Sequence, residues 1–438
     1  MKKVCLISLG CHKNLVDSEV ALGVLEEAGY SITKDPSDAD VIIVNTCAFI
    51  EDAKRESIDA ILAAASYKEA CRGKKRLVVT GCLTQRYKEE VARLFPEVDL
   101  FLGVDEYDKI ASLVESKQGL FVSKAPRYIY DANTPRKVST PPHSVYLKIA
   151  EGCMHHCSFC VIPKIRGRYR SRSVDDITTE AQRLLAGGAK ELNLIAQDTT
   201  SYGRDLCGAS NISTLLRRLS SLGGEKWIRL MYAYPSSIRR ELISTMKECP
   251  CICRYLDIPI QHIDDHVLRR MGRRETSSEI RRLISWIKDE IPDISLRTSI
   301  IVGFPGETER QFERLVRFIE EGYFDHVGVF TYSKEEGTAA ARLGGEISRR
   351  VKLERQKIVL EAQRKVSKRR LGSFEGKRLK VLIDGHLDTP YLIVGRTEFQ
   401  APEVDGVVYI EGKGGDVGKF YLVEVKRAYE YDLVGRIV

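Results

Sequence analysis

The first 125 residues alternate between short apolar runs and stretches of helical periodicity. VCLISLG, DVIIVNT and RLVVTG are rich in β-branched and aliphatic side chains, and DSEVALGVLEEAG and AKRESIDAILAAAS between them carry helical patterns. That alternation predicts a parallel sheet covered by helices, a Rossmann-like α/β domain over residues 1–125. From Ala125 to His143 the text becomes APRYIYDANTPRKVSTPPH, with four prolines and little period, and residues 126–142 read as a linker. A second alternating series then begins: SVYLKIAEG, KELNLIAQD, WIRLMYAY, RYLDIPI, LRTSIIVG and DHVGVFTYS. Amphipathic helices such as DDITTEAQRLLAGG and SSEIRRLISWIKDEI separate them. Six βα-type units predict a partial or complete α/β barrel over residues 143–372, ending in a long helix from Arg349 to Arg370. Residues 373–438 have another texture. KRLKVLIDG, YLIVGRT, GVVYIEG and KFYLVEVKRAY are glycine-spaced short strands without a helical stretch, which predicts a small β-barrel.

Composition narrows the class. A chain of 438 residues is long enough for several domains, and 43% hydrophobic with 30% charged residues is ordinary for a soluble globular protein. No run of 18 apolar residues occurs, so no membrane span is expected. The opening MKKVCLISLGCHKN has only a strand-length apolar run, which argues against a secretion signal and for a cytoplasmic protein. Twelve cysteines are few for a disulfide scaffold of this length and many for thiols without a use, so metal or redox chemistry is expected. The net charge of +8 is uneven: −1 over residues 1–140, +11 over 141–372 and −2 over 373–438.

The sharpest motif is EGCMHHCSFC, in which Cys153, Cys157 and Cys160 lie on one loop after the first strand of the middle domain. Three thiolates so close can hold three irons of a cubane iron–sulfur cluster and leave the fourth iron open to an exchangeable donor. Zinc is the alternative, with His155 or His156 completing a Cys3His set, and plain buried thiols are a third reading. A second set is dispersed: Cys11 follows VCLISLG, Cys47 follows VIIVNT and Cys82 follows RLVVTG. In a parallel sheet the strand carboxyl ends share one edge, so these three cysteines would converge, either on a second metal cluster or as semi-buried thiols by coincidence. Cys5, Cys71, Cys207 and the CPCIC run of Cys249, Cys251 and Cys253 read as structural or incidental.

The C-x3-C-x2-C loop at the end of a first barrel strand resembles the radical S-adenosylmethionine (SAM) superfamily. The three-part organisation, with an N-terminal three-cysteine domain and a C-terminal TRAM-like, OB-like barrel, resembles the methylthiotransferases over essentially the whole chain. The resemblance implies a central partial TIM-like (β/α) barrel and two 4Fe–4S clusters. One would sit on Cys153, Cys157 and Cys160 with exchangeable SAM, the other on Cys11, Cys47 and Cys82. It implies Phe159 beside the adenine, and adenosine contacts from Ser299 and Gly303 in SIIVG, although Ser299 stands where glycine is common and Glu307 comes one place late. A phosphate loop is a weaker reading of GFPGET, which lacks the Gly-Lys-Ser/Thr ending.

For the substrate, AQDTTSYGRDL, DIPIQHIDDHVLRRMGR and GRTEFQAPEVDGVVYIEG resemble the branch of that family that methylthiolates an aspartate of ribosomal protein S-12. That branch implies a transferase that uses two SAM per turnover, a reduced electron donor such as ferredoxin or flavodoxin, and a sulfur donor. A transfer-RNA adenosine methylthiotransferase is the alternative, and the −2 charge of residues 373–438 opposes a polyanionic partner. Arg166, Arg168, Arg170 and Arg172 in IRGRYRSRS could bind phosphates, orient a carboxylate or form a solvated edge. Gln261 and His262, ending LDIPIQH, either point toward a barrel mouth or are satisfied structural groups.

Overall fold

The computed structural model describes residues 1–116, 118–208, 210–387, 392–412 and 414–438. The chain forms two compact units. One comprises Met1–Ser139, Lys148–Ile177 and Ser333–Ala341; the other comprises Thr140–Leu147, Thr178–Tyr332 and Arg342–Val438.

In the first unit, the three apolar runs form the parallel strands Lys3–Ser8, Val41–Thr46 and Arg76–Gly81. All six residues of Val41–Thr46 are buried, as befits a strand covered on both faces. Three short strands, Ser31–Ile32, Leu100–Leu102 and Gly119–Phe121, extend this sheet to six. The helices His12–Glu27 and Glu51–Ala70 connect the long strands. The proline-rich stretch carries no helix or strand, yet it is firmly held. Gly23 lacks a Cβ that would lie 2.5 Å from the Pro135–Arg136 backbone, and Arg136 closes a buried ion pair with Glu19 at 2.6 Å.

The second unit is built on an open six-stranded sheet whose strands follow one another in chain order: Ser144–Lys148, Glu191–Ile195, Trp227–Leu230, Ile252–Asp257, Ser295–Val302 and His326–Thr331. The middle of the chain is thus a partial barrel, not a closed one. The helix Arg349–Gly372 follows, and then a closed five-stranded barrel over the core Val381, Ile383, Ile393, Val408, Ile410, Val423, Val425 and Leu433.

This small barrel sits on the amino-terminal ends of the larger sheet's strands. Glu191, the first residue of its strand, is fully buried between Arg229 and Arg396, at 2.8 Å from each. Arg229 also donates to the Glu398 carbonyl at 2.6 Å, and Trp227 meets Phe420 edge to face at 4.8 Å. The carboxyl ends, where open α/β sheets place their ligands, lie away from this contact.

Candidate active site

At the carboxyl edge of the first unit's sheet, Ser8 is level with Asn45 and Thr46 with Gly81. Cys11, Cys47 and Cys82 follow these ends within three residues. Cys11 is the N-cap of the helix His12–Glu27, and Cys82 opens the helix Cys82–Tyr87. Two glycines let the three loops close together. Gly10 has φ +86°, and a Cβ there would lie 2.6 Å from Cys47 Cβ and 2.8 Å from its Sγ. Gly81 has φ +96° and would collide with the Asn45 side chain at 2.3 Å. Burial, then the neighbouring Cys82 and Cys11, pushes the Cys47 thiol up to about 12. Burial also raises Cys82, against the pull of Arg166. Three sulfurs close enough to oppose one another's ionisation fit a site whose anionic form is completed by a cationic iron–sulfur core.

The second triplet lies on a loop closed by pairing of Ala150 with Ser171 and Glu151 with Arg170. Gly152, at φ +81°, passes so near the Arg168 carbonyl that a Cβ would stand 2.2 Å from it. The Cys153 N–H donates to the Gly167 carbonyl at 3.3 Å, and the Cys160 N–H to the Cys157 carbonyl at 3.1 Å. Burial pushes the Cys160 thiol up to about 12; a backbone hydrogen bond from Ile162 opposes the rise, and Cys157 and Cys153 add to it. Phe159 is half-buried between the last two cysteines. Among the described residues no group of three or more His, Cys, Asp or Glu side chains is arranged to hold a metal ion.

Between the two triplets lies a buried ionic network that the sequence reading missed. Arg166, at the end of the helix Ile162–Arg166, donates to Cys82 Sγ at 3.3 Å and Asn14 Oδ1 at 2.9 Å. Its other terminal nitrogen binds Asp17 and, at 3.3 Å, Glu151. Lys148 completes the set, bonded to Asp17 and, at 2.8 Å, to Glu151. Two cations thus balance two carboxylates, all four buried. Burial alone would raise the Glu151 carboxyl, but Lys148 and Arg166 outweigh it and hold the group well below the usual carboxylate range. The available signal was a lysine and a glutamate flanking apolar text in SVYLKIAEG.

The segment Ser333–Ala341 is tied to both triplets' surroundings. Glu335 pairs with Arg86 at 2.6 Å and Lys54 at 3.2 Å. Ala340 N–H donates to Ser158 O at 2.8 Å, and Lys164 to Gly337 O at 2.6 Å. The arginine stripe is not a uniform surface. Arg166 and Arg172 are buried, and Arg172 pairs with Asp176 at 2.6 Å. Arg170 spends its guanidinium on the carbonyls of Tyr128, Arg166 and Arg168, and only Arg168 is exposed.

In the second unit, Ser299 lies within the strand Ser295–Val302, opposite Gly328, and Gly303 makes the turn after it with φ +71°. Glu307 caps that turn by accepting from the N–H groups of Gly303 and, at 3.1 Å, Phe304. His262 is wholly buried; its Nδ1 accepts from Asp264 N–H at 3.0 Å, and its Nε2 lies 3.6 Å from Glu307. Gln261 bridges the sheet through its backbone, to Ser299 and Ile301. Gln261 thus has a backbone role in the sheet, whereas the buried His262 Nε2 and Glu307 Oε1 each lack a hydrogen-bond partner among the described residues. Of the remaining cysteines, Cys5 and Cys253 are packed in strands, and none of the twelve, all of them described, forms a disulfide.

Residues 3–103 match the model of the uncharacterized protein family UPF0004, residues 147–319 that of the Radical SAM superfamily, and residues 376–438 that of the TRAM domain. A three-cysteine sheet edge, a C-x3-C-x2-C loop with a half barrel, and a TRAM barrel define a radical SAM methylthiotransferase. The ribosomal protein uS12 methylthiotransferase RimO of Geobacter sulfurreducens is 50% identical over 442 residues, covering 100% of this chain and 99% of the relative. The RimO of Lachnoclostridium phytofermentans is 48% identical and covers 99% of each. The chain belongs to the RimO family. Among solved structures, the radical SAM methyltransferase TsrM from Kitasatospora setae shares the fold, with a TM-score of 0.53 at 16% identity over 75% of each chain.

Proposed function

We propose that this chain inserts a methylthio group at the β-carbon of an aspartate of ribosomal protein uS12, using two SAM per turnover and two 4Fe–4S clusters. Cys153, Cys157 and Cys160 would hold the cluster that takes SAM; Cys11, Cys47 and Cys82 would hold the other. The observation that carries this reading is that both triplets belong to one compact unit, where Arg166 reaches from the helix behind the second to a sulfur of the first. When bound, the clusters supply the electron that cleaves SAM to a hydrogen-abstracting radical and a place to present the inserted sulfur. The chain's own residues do the rest. Gly10 and Gly81 permit the first three thiols to converge, Gly152 and the pairing at residues 150–171 shape the second loop, and the Arg166 network fixes one triplet against the other. Phe159, Ser299 and Gly303 are assigned to the adenosine by family pattern. A ferredoxin- or flavodoxin-type electron donor, a sulfur donor and a cytoplasmic location belong to the same proposal.

A transfer-RNA substrate is the second reading. The −2 charge of residues 373–438 disfavours it, because a grip on phosphates needs excess cations. Anaerobically reconstituted protein, given SAM, sulfide and a strong reductant, is offered uS12 and total tRNA in separate reactions. Mass spectrometry is expected to show a methylthio group replacing hydrogen on uS12, with 5′-deoxyadenosine formed, and both lost in Cys157→Ala. Modified tRNA beside unmodified uS12 would overturn the assignment.

A further inference from the structure

A buried arginine is costly unless every donor is spent, and Arg166 spends its terminal nitrogens on partners from three parts of the chain. Asn14 and Asp17 come from the helix that begins after Cys11, Glu151 from the residue pair before Cys153, and Cys82 from the first triplet itself. The guanidinium has little freedom to turn. It is fixed by Asp17 and Glu151, which Lys148 holds in turn, and Asn14 is anchored by its own donation to the Leu9 carbonyl at 2.7 Å. An N–H aimed at a ligating sulfur withdraws electron density from it and stabilises the more reduced, more negative state of any iron attached; such hydrogen bonds are a principal control of cluster potential.

We propose that Arg166 is a positioning residue for the Cys11/Cys47/Cys82 site: its guanidinium, clamped by Asp17, Glu151 and Asn14, donates to the Cys82 sulfur, sets that sulfur relative to the loop of Cys153–Cys160, and raises the reduction potential of a cluster held there. This deepens the two-cluster reading and rests on it. Arginine is required for the geometry, because one planar fork serves a thiolate, an amide and two carboxylates at once, whereas a lysine ammonium is a single point.

The test uses the full chain with Cys153, Cys157 and Cys160 changed to Ala, so that only the first triplet loads iron. In that background Arg166 is compared with Arg166→Lys and with Arg166→Met/Asp17→Asn. The double variant removes one cation and one anion, so the buried network stays neutral and folding is protected. The double variant reports the guanidinium as a whole, while Arg166→Lys keeps the charge and removes the planar fork, so its shift reports the hydrogen-bond geometry. Iron content, circular dichroism and an EPR-monitored redox titration are recorded. The expected result is about four irons per chain with a midpoint shifted to more negative potential in the double variant, and a smaller shift in Arg166→Lys. Loss of iron from a double variant of native circular dichroism supports the positioning role as well. Full iron content with an unchanged midpoint and EPR signature in both variants overturns the proposal. Failure of the background chain to load iron with Arg166 in place would instead overturn the two-cluster reading on which the proposal stands.

Discussion

Gly10 meets two demands that can be separated by substitution. Its φ of +86° is one, and the Cys47 sulfur 2.8 Å from where a Cβ would be is the other. Gly29 meets only the first, with φ +90° and nothing within 4 Å of its virtual Cβ. Alanine at either position therefore costs about 1–2 kcal/mol for the left-handed backbone. Only Gly10→Ala must also push Cys47 away from Cys11 and Cys82. The expected outcome is a loss of thermal stability in both apo variants, larger in Gly10→Ala, with iron binding at the first triplet impaired in Gly10→Ala alone. Equal iron content in the two would show that the loop relaxes without moving the thiol. Residues of this kind differ in how far text reveals them. The cysteines stand out because each follows an apolar run or crowds into one short loop. Arg166 does not, because its partners Asp17 and Asn14 lie 149 and 152 positions earlier. In the text it was one of four alternating arginines, and only folding shows that Arg166 is buried while Arg168 is exposed.

Elements that bury on both sides were readable, and those that carry the site were blurred. The long central strands match their apolar runs, but the helix His12–Glu27 begins well before the periodic pattern does. Its early turns hold Lys13, Asn14, Asp17, Ser18 and Glu19, all buried and all polar, so partners from distant segments replace the apolar stripe a sequence pattern depends on. The barrel's fifth strand, Leu433–Ile437, was missed because five residues containing a glycine and an arginine give little alternation to read. Where the barrel meets the half-barrel sheet, an acid-sensitive contact is expected. Burial would raise the Glu191 carboxyl from its ordinary 4.5, but Arg396 and Arg229 outweigh it and hold the value near about 2. A depressed folded value means that Glu191 stabilises fully above the unfolded pKa, and that this contribution fades as pH falls from about 4.5 toward about 2. Glu191→Gln leaves two buried arginines short of a counter-charge, a cost of about 3–5 kcal/mol at neutral pH. The urea midpoints of wild-type and variant are thus expected to differ most at pH 6–7 and to converge as pH drops through that window. A constant gap would assign the loss to packing.

Across the whole molecule, both cysteine triplets lie in one of two compact units that the chain visits repeatedly. Cys11, Cys47, Cys82, Cys153, Cys157 and Cys160 all lie in the unit of Met1–Ser139, Lys148–Ile177 and Ser333–Ala341. The sequence reading divided the chain by texture, into sheet, linker, half barrel and small barrel. Texture records periodicity, whereas compactness records contacts, and segments as short as Ser333–Ala341 join a unit through ion pairs such as Arg86–Glu335 that leave no period. A ligand that binds the folded form raises the stability of the part that folds around it. On the two-cluster proposal, iron held by the two triplets should therefore stabilise the first unit and leave the second, with its own sheet and barrel cores, where it was. Calorimetry of the anaerobic holoprotein and of the same protein stripped by a chelator is expected to show one transition falling by about 10 °C, since each kcal/mol moves a unit of this size by roughly 2–4 °C. The other transition is expected to stay fixed. If both transitions fell together, iron would be stabilising a single cooperative body, and the two-unit division would describe contacts without describing unfolding. If neither moved, the thiols would gain their order from the protein alone, and the network around Arg166 would suffice to hold them.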